Sequence, residues 1–503
     1  MDTPPPAAIT TPEAPASAIT SLPVALARIA ELEALVAAQH EQIATERERN
    51  QRLEERLKEL EARLGRDSDN SSKPPSSDPP WKKRKYPPKK KPSGRKAGGQ
   101  KGHKAALREL VPEAELTSLQ PLRPDHCEGC GHVFDGSEPT VGEPVRHQVT
   151  ELPPVRAQVT EYRQQRVGCP CCGTATLAAL PSGVPRTCYG PRLQAVVAWL
   201  VGVFGLSRRE VVRVVLDLLG ARLSTATVQD CCERTSAGLK APVEEAEQVV
   251  RRAEIVHADE TGWKQAGRRM WLWITVSATV TVFRVADSRS AKVIQEMLGA
   301  DFAGVVISDR WSAYTKLALA MRQVCWAHLK RDFTWLAGLG DAPGAIGEWA
   351  KRETKLLFEL WHAKRAGTLS QQEFLGSLPP LKARFKRLLL KGAEKLEPKR
   401  GRGMCRDLLK HWDSFWTFTR HEGVEPTNNE AERGVRKGVL WRRKSQGSRS
   451  VAGSRFVERI LTVAATCRQN DRPVLAYLIE VCEATLHGQP PPSFVPQLPD
   501  TTT

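Results

Sequence analysis

Three acids sit where acids can do chemistry together. Asp259 closes the apolar run Ile255-Val256-His257-Ala258, and Asp309 closes Val305-Val306-Ile307-Ser308. Glu432 lies much further on, in Thr427-Asn428-Asn429-Glu430-Ala431-Glu432-Arg433. Carboxylates supplied by separate elements can hold two divalent cations side by side, an arrangement that cuts and joins phosphodiester bonds. Mg²⁺, or Mn²⁺ in its place, suits such oxygen ligands.

The elements needed to bring these acids together can be read around them. Strand signals run over Ala253–Asp259, Met270–Val276 and Val280–Val285, followed by a helix near Ser290–Leu298 and a fourth strand over Gly304–Asp309. Three strands, a helix and a strand is the opening order of a ribonuclease-H-like α/β domain, in which the first and fourth strands are neighbours. Asp259 and Asp309 then emerge side by side. Strand alternation turns Glu260 to the face opposite Asp259, and Asp287 follows an edge-like strand, so both are weaker ligands. For the third acid, Thr427 and Glu430 have capping-box spacing, which gives Glu430 a structural role and leaves Glu432 as the ligand. Asp309 and Glu432 are 123 residues apart, and much of the interval, about 343–423, has a basic helical pattern that reads as an insertion. Trp326 and His328, in Cys325-Trp326-Ala327-His328, follow a fifth strand-like run and either shape the site or pack beneath it.

Around the acids the chain is cationic. After Glu432 come Arg433, Arg436, Lys437, Arg442, Arg443, Lys444, Arg449 and Arg455, with no acid before Glu458, a pattern that reads as a phosphate track. A second basic stretch, Lys82, Lys83, Arg84, Lys85, Lys89, Lys90 and Lys91 with Arg95, Lys96, Lys101 and Lys104, is interleaved with Pro and Gly and contains no acid. Such a composition cannot bury a core and predicts an extended arm along phosphates. The formal charge of +18 over 503 residues favours an acidic polymer, here double-stranded DNA, as partner.

Of twelve cysteines, one cluster has ligand spacing: Cys127-Glu128-Gly129-Cys130-Gly131 and Cys169-Pro170-Cys171-Cys172-Gly173. Two C-x-x-C turns supply the four thiolates of a structural Zn²⁺ site, predicted on Cys127, Cys130, Cys169 and Cys172, with Cys171 leaving the fourth ligand ambiguous. Each trailing Gly can take the positive φ that turns amides toward the sulfurs. Val155–Val159 alternates like a strand of a zinc ribbon. The remaining thiols fit a reduced, cytoplasmic setting. No apolar run is long enough to span a bilayer and no signal-peptide pattern opens the chain, so no membrane partner is expected.

Elsewhere, Arg208–Leu219, Gly220 and a helix restarting at Ser224 outline a helix-turn-helix. Near the N-terminus, Leu22, Ile29, Val36, Ile43, Asn50, Leu57 and Leu64 recur every seven residues, with Leu32, Leu53 and Leu60 beside them. This heptad row predicts a coiled coil and a homo-oligomer, Asn50 setting register. The expected organisation is multidomain α+β: a disordered 1–21, coiled coil 22–65, basic linker 66–111, zinc ribbon 112–185, helical DNA-binding region 186–250, catalytic domain 251–342 and 424–470, helical insertion 343–423, and a C-terminal segment and tail 471–503.

The chain resembles transposases of the insertion sequence 66 family. The resemblance is carried, in order, by Asn70-Ser71-Ser72-Lys73-Pro74-Pro75-Ser76-Ser77-Asp78, Gly98-Gly99-Gln100-Lys101-Gly102-His103, the paired knuckles, His257-Ala258-Asp259-Glu260-Thr261-Gly262-Trp263, Ser308-Asp309-Arg310-Trp311, Cys325-Trp326-Ala327-His328 and Asn428-Asn429-Glu430-Ala431-Glu432-Arg433. It implies an Asp-Asp-Glu centre on Asp259, Asp309 and Glu432, zinc on the four cysteines, and strand transfer of the element's own ends. It also implies small companion proteins of the element and a C-terminal family segment at 470–494.

Overall fold

The computed structural model describes residues 22–64, 109–397 and 401–496. The basic arm with Lys82, Lys83, Arg84, Lys85, Lys89, Lys90 and Lys91 lies outside the described residues, as do residues 1–21 and the tail from 497.

Helix α1 (Leu22–Leu64) is rich in Ala, Leu, Glu and Arg, and its one proline, Pro23, falls in the first turn where no helical N–H bond is lost. Its apolar row stays exposed, with Ile29 at 51%, Val36 at 48% and Leu57 at 60%. The cysteine region is mostly irregular, and its regular pair is β1 (Arg166–Gly168) with β2 (Ala175–Leu177), antiparallel around the second knuckle. The strand expected over Val155–Val159 does not form: among the described residues no strand pairs with it, and its Ala157 N–H donates instead to Leu219 O at the end of the helix Arg208–Leu219 (2.8 Å), a single bond where a strand needs a ladder.

Four helices follow: α2 (Pro191–Phe204), α3 (Arg208–Leu219), α4 (Thr225–Gly238) and α5 (Lys240–Arg252). Ser207 and Glu210 close a capping box on α3, Gly220 ends it at φ 69°, and the Ser224 hydroxyl caps α4 by accepting from Thr227 N–H at 3.0 Å. The helix-turn-helix outline is therefore present. Its second helix, however, buries Val228, Cys231, Cys232, Thr235 and Ser236, while Asp230 and Glu233 face solvent. An acid-bearing outer face is a poor reader of a DNA groove, so α4 is better described as packing material.

The central sheet comprises β3 (Ile255–Gln265), β4 (Arg268–Val276), β5 (Thr281–Ala286), β6 (Val305–Ser308) and β7 (Arg322–Val324), in the order β5-β4-β3-β6-β7. β3, β4 and β5 form an antiparallel meander, and α6 (Ala291–Leu298) crosses over so that β6 and then β7 add parallel to β3. From β7 the chain enters α7 (Trp326–Ala337), α8 (Asp341–Arg365), α9 (Gln371–Lys395) and α10 (Gly403–Lys410), then returns through α11 (Asn429–Ser445), α12 (Val451–Gln469) and α13 (Val474–Leu486).

Helices cover both faces of the sheet. Val256, Trp273 and Val306 face a core shared with α2, α6, α12 and α13, and Leu272, Ile274 and Phe283 face α11 and α12. Val305, Ile307 and Val324 pack on α7 to α10, whose own core is aromatic, with Trp326, Phe385 and Trp416 in edge contacts. The exposed N–H row of edge strand β5 is closed by three α12 side chains spaced four apart. Thr281 N–H donates to Thr466 Oγ1 (3.0 Å), Phe283 N–H to Thr462 Oγ1 (2.9 Å) and Val285 N–H to Glu458 Oε1 (2.6 Å). An edge so satisfied cannot recruit a foreign strand. Among the described residues no helix is long and apolar enough to cross a membrane.

Candidate active site

Asp259 does not end its strand. β3 continues to Gln265 because β4 pairs with it from His257 to its end, and Asp259 instead stands where the parallel partner stops. The β3–β6 register pairs Ile255 with Val305 and His257 with Ile307. Two residues beyond that last couple lie Asp259 on β3 and Asp309 just past the end of β6, so parallel pairing delivers both acids at one level of the sheet. Asp309 is buried, its Oδ1 accepting from Trp311 N–H at 2.9 Å and its carbonyl from the buried Arg322 at 2.8 Å.

The electrostatics are those of crowded anions. Burial holds the Asp259 carboxyl well above the usual carboxylate range, and the charges of Glu260, Asp309 and Glu432 push it further the same way. One nearby cation is engaged elsewhere. Arg289 binds the buried Glu260 (2.7 Å from Nε), which also accepts from Tyr314 OH (2.5 Å), and burial with the charge of Asp309 raises Glu260 to about 7. Glu260 is thus held in a separate network. Asp287 is exposed beyond β5, the outermost strand.

The third acid arrives on α11, whose start differs from expectation. Asn428, rather than Thr427, is the N-cap, and no side chain caps the helix. Glu430 is no capping partner: it is half exposed and pairs with Arg433 one turn on. The Asn428 amide is used instead to tie the helix to β3. Its Nδ2 donates to Ala258 O at 2.7 Å, its Oδ1 lies 3.1 Å from His257 Nδ1, and its backbone N–H donates to Cys325 Sγ at 3.2 Å. A residue bonded on both sides of Asp259's neighbour therefore sets where Glu432 enters.

Glu432 itself faces α7. His328 Nδ1 lies 3.4 Å from Oε1, at ion-pair rather than hydrogen-bond geometry, Arg331 Nη2 lies 3.9 Å from Oε2, and Cys325 Sγ approaches Oε1 to 3.9 Å. Cys325, His328 and Glu432 are the one group of potential metal ligands among the described residues whose ligand atoms all fall within 4.8 Å of one another. Asp259, Asp309 and Glu432 share one electrostatic neighbourhood but are more widely spread than that as a set. α11 is seated on β4 through Gly434 and Gly438, where an added Cβ would run into Ile274 and Leu272.

The basic residues after Glu432 divide. Arg436, Lys437 and Arg443 are exposed. Arg433 is paired with Glu430, Lys444 Nζ reaches Phe204 O at 3.3 Å, and Arg455 pairs with Glu458 at 2.7 Å. Arg442 departs from the phosphate track altogether: half-buried, it donates to the Gly262 carbonyl and holds α11 against β3.

The two cysteine knuckles are built alike. Cys127 N–H donates to His132 O (2.8 Å) and Gly131 N–H to Cys127 O (2.9 Å); Cys169 N–H donates to Thr174 O (2.9 Å) and Gly173 N–H to Cys169 O (2.9 Å). Gly131 and Gly173 have φ of 74° and 72°, which a side chain would resist. An amide bond from Gly129 leads the effects that hold the Cys127 thiol below its ordinary value, and the Thr174 hydroxyl does so for Cys172. In the second knuckle a side-chain hydrogen bond with Cys169 lowers Cys172 further. Each turn thus presents two sulfurs, one of them, Cys127 or Cys172, with its thiol held low, and four such sulfurs are a donor set that fits zinc. The two pairs do not form a common cluster within 4.8 Å.

Of the pair expected to shape the site or pack beneath it, His328 faces Glu432 and Trp326 packs in the aromatic core; three features escaped sequence reading, Asn428 as a tie to β3, Cys325 as a neighbour of Glu432, and the Gly434/Gly438 seat. Only the glycine pair left a signal, two helical glycines four apart on one face.

Comparison with known proteins agrees with this layout. Residues 186–455 match the transposase IS66 family, residues 124–173 match the zinc-finger binding domain of transposase IS66, and residues 21–109 match a family of unknown function. A similar protein, the uncharacterized protein y4hP of Sinorhizobium fredii (strain NBRC 101917 / NGR234), is 26% identical over 415 residues, covering 73% of this chain and 72% of that protein. The sheet, the acids and the insertion all lie inside the first match, which takes in more than half of the chain and follows the zinc finger in the family's order, and the protein therefore belongs to the IS66 family of transposases.

Proposed function

We propose that this transposase cleaves DNA at the ends of its own insertion sequence and joins the freed ends to target DNA, with Asp259, Asp309 and Glu432 as a two-metal centre on a ribonuclease-H-like sheet. The family supplies an enzyme acting on DNA and a structural zinc. The observation that carries the finer reading is the crowding of Asp259 by Glu260, Asp309 and Glu432, with Arg289 turned to Glu260 and Arg331 no nearer than 3.9 Å to Glu432. A buried anion so placed is stabilised by a divalent cation, and hard carboxylate oxygens suit Mg²⁺ or Mn²⁺. Two ions about 3.5–4 Å apart do not require three carboxylates in one ligand sphere, which accommodates the spread of the set. Bound there, such ions supply activation of water or a DNA 3′-hydroxyl and stabilisation of the leaving oxygen.

The chain's own groups do the positioning. Parallel pairing of β3 with β6 levels Asp259 and Asp309, Asn428 registers α11 against β3, and His328 with Arg331 restrains the Glu432 carboxylate. Exposed Arg436, Lys437 and Arg443 lie on the same helix as Glu432 and offer charge for the phosphates beside the cut. The zinc knuckles and the cations of residues 82–91 are further groups we propose for binding DNA. The exposed heptad row of α1 is the surface through which we propose that copies associate, and small companion proteins of the element and a cytoplasmic, nucleoid-associated location belong to the same reading.

The test is Mg²⁺-dependent joining of a labelled terminal-repeat oligonucleotide to a second DNA. Joined product supports transposition; cleavage without joining would identify a nuclease, and binding alone a DNA-binding protein without catalysis.

A further inference from the structure

Beside the acids runs a ladder of alternating cations and indoles that the reading above leaves unused. Trp311, two residues after Asp309, is fixed at two points: its N–H donates to Asp309 Oδ1 (2.9 Å) and its indole Nε1–H to Arg289 O (3.2 Å). The Arg289 guanidinium lies 3.7 Å from the Trp311 ring centroid and 4.9 Å from that of Trp271, and the Arg269 guanidinium lies 5.0 Å from Trp271. Arg269 and Trp271 alternate on one face of β4, and Arg289 follows β5.

The state of each rung limits what it can bind. The charge of Arg289 is held by the buried Glu260, at 2.7 and 2.6 Å, so it serves as a fixed plane under the rings rather than as a free cation. Both N–H groups of Trp311 are satisfied inside the protein, yet the residue remains 38% exposed. What it offers solvent is therefore ring surface without hydrogen-bonding atoms, already polarised by a cation. Such a surface takes a flat aromatic partner of any sequence, and every nucleobase has one. Exposed Arg269 at the outer end supplies charge for the backbone that carries the base.

We propose that this ladder is a stacking site for an unpaired nucleobase next to the reacting phosphate, so that the enzyme prefers DNA whose strands part at the site of cleavage. The proposal rests on the DNA-processing function proposed above and adds its substrate form: a frayed or single-stranded junction rather than intact duplex.

The test uses the full chain and two duplexes of the same sequence, one blunt and one with a short single-stranded tail carrying 2-aminopurine. Divalent cation is left out, so that binding is read apart from chemistry. The wild type is expected to quench 2-aminopurine on binding. Trp311→Ala should lose the quench and bind the tailed duplex about ten-fold more weakly, with blunt-duplex affinity changed less than about two-fold. Trp311→Phe should restore part of the quench. Arg269→Gln leaves the rings in place and should keep the quench while reducing the salt slope of binding by about one; an unchanged slope removes Arg269 from the site. A quench equal to wild type in Trp311→Ala overturns the proposal, and so does equal weakening of blunt and tailed binding, since the ring would then matter only to the fold. Strand joining by a wild type that gives no quench would remove the ladder alone. Quench without joining would keep the ladder and remove the transposition reading.

Discussion

The cysteine knuckles and the cluster of acids around Asp259 are built in opposite ways. Each zinc knuckle is a closed local unit: a cysteine, its partner three residues on and a left-handed glycine, with the same two backbone hydrogen bonds in both copies. The acid centre has no local unit. Asp259 is levelled with Asp309 by strands fifty residues apart, and Glu432 is brought in by a helix tied through Asn428, Cys325 and His328. A knuckle can form wherever its turn folds, whereas the acid centre exists only when the whole sheet does. Local sites thus tolerate damage elsewhere in the fold, and assembled ones are sensitive to it.

That contrast can be broken or sharpened by substitution. The largest effect is expected from Asp309→Asn, which should reduce strand joining by more than about a thousand-fold while DNA affinity in a mobility-shift assay is retained; joining at the normal rate would remove Asp309 from the mechanism. Next, Cys130→Ser or chelation should release the zinc and unfold the region around residues 124–173, since structural zinc contributes roughly 10–16 kcal/mol to small zinc-binding units. The melting of the sheet domain should not move, as read by metal analysis together with differential scanning calorimetry. A shift of both transitions would show that the finger is not the independent unit its local hydrogen bonds indicate.

Asn428→Ala probes the assembled site without touching an acid. It leaves Ala258 O and His257 without their partner, which costs about 1–3 kcal/mol of stability, and a displaced Glu432 should slow joining about a hundred-fold. A loss of stability with an unchanged joining rate would mean that Asn428 holds the fold and not the acid. The smallest effect is expected from Gly438→Ala, in which the new methyl meets buried Leu272. Overpacking of about 1–3 kcal/mol is partly offset by about 1 kcal/mol of helix propensity, giving a modest fall in melting temperature. A rise would show that α11 can lift from β4 freely.

Much of this organisation is legible in the sequence. Strand spans from β3 to β6, the glycine stop and Ser224 start around α4, and the positive-φ glycines of both knuckles follow from rules acting over a few residues. Departures arise where a distant partner intervened. Val155–Val159 alternates but has no strand to pair with. β3 runs past Asp259 because β4 lies alongside it to the end. Thr427 and Glu430 have capping-box spacing, yet the helix start is governed by Asn428 reaching β3. Arg442 reads as one more cation in a basic run, and the Gly262 carbonyl, 180 positions earlier in the chain, holds it half-buried against β3.

By itself, then, the sequence determined which residues could hold zinc, which acids could hold a harder cation, and the strands and helices that carry them, since composition, spacing and turn chemistry act within one element. Only the tertiary structure decided which of those groups meet: that Asp259 stands level with Asp309, that Glu432 faces His328 and Arg331, and that Trp311 lies stacked on Arg289. The reason is physical. Contacts between elements depend on burial and register summed over the whole core, and no short stretch of chain contains that sum.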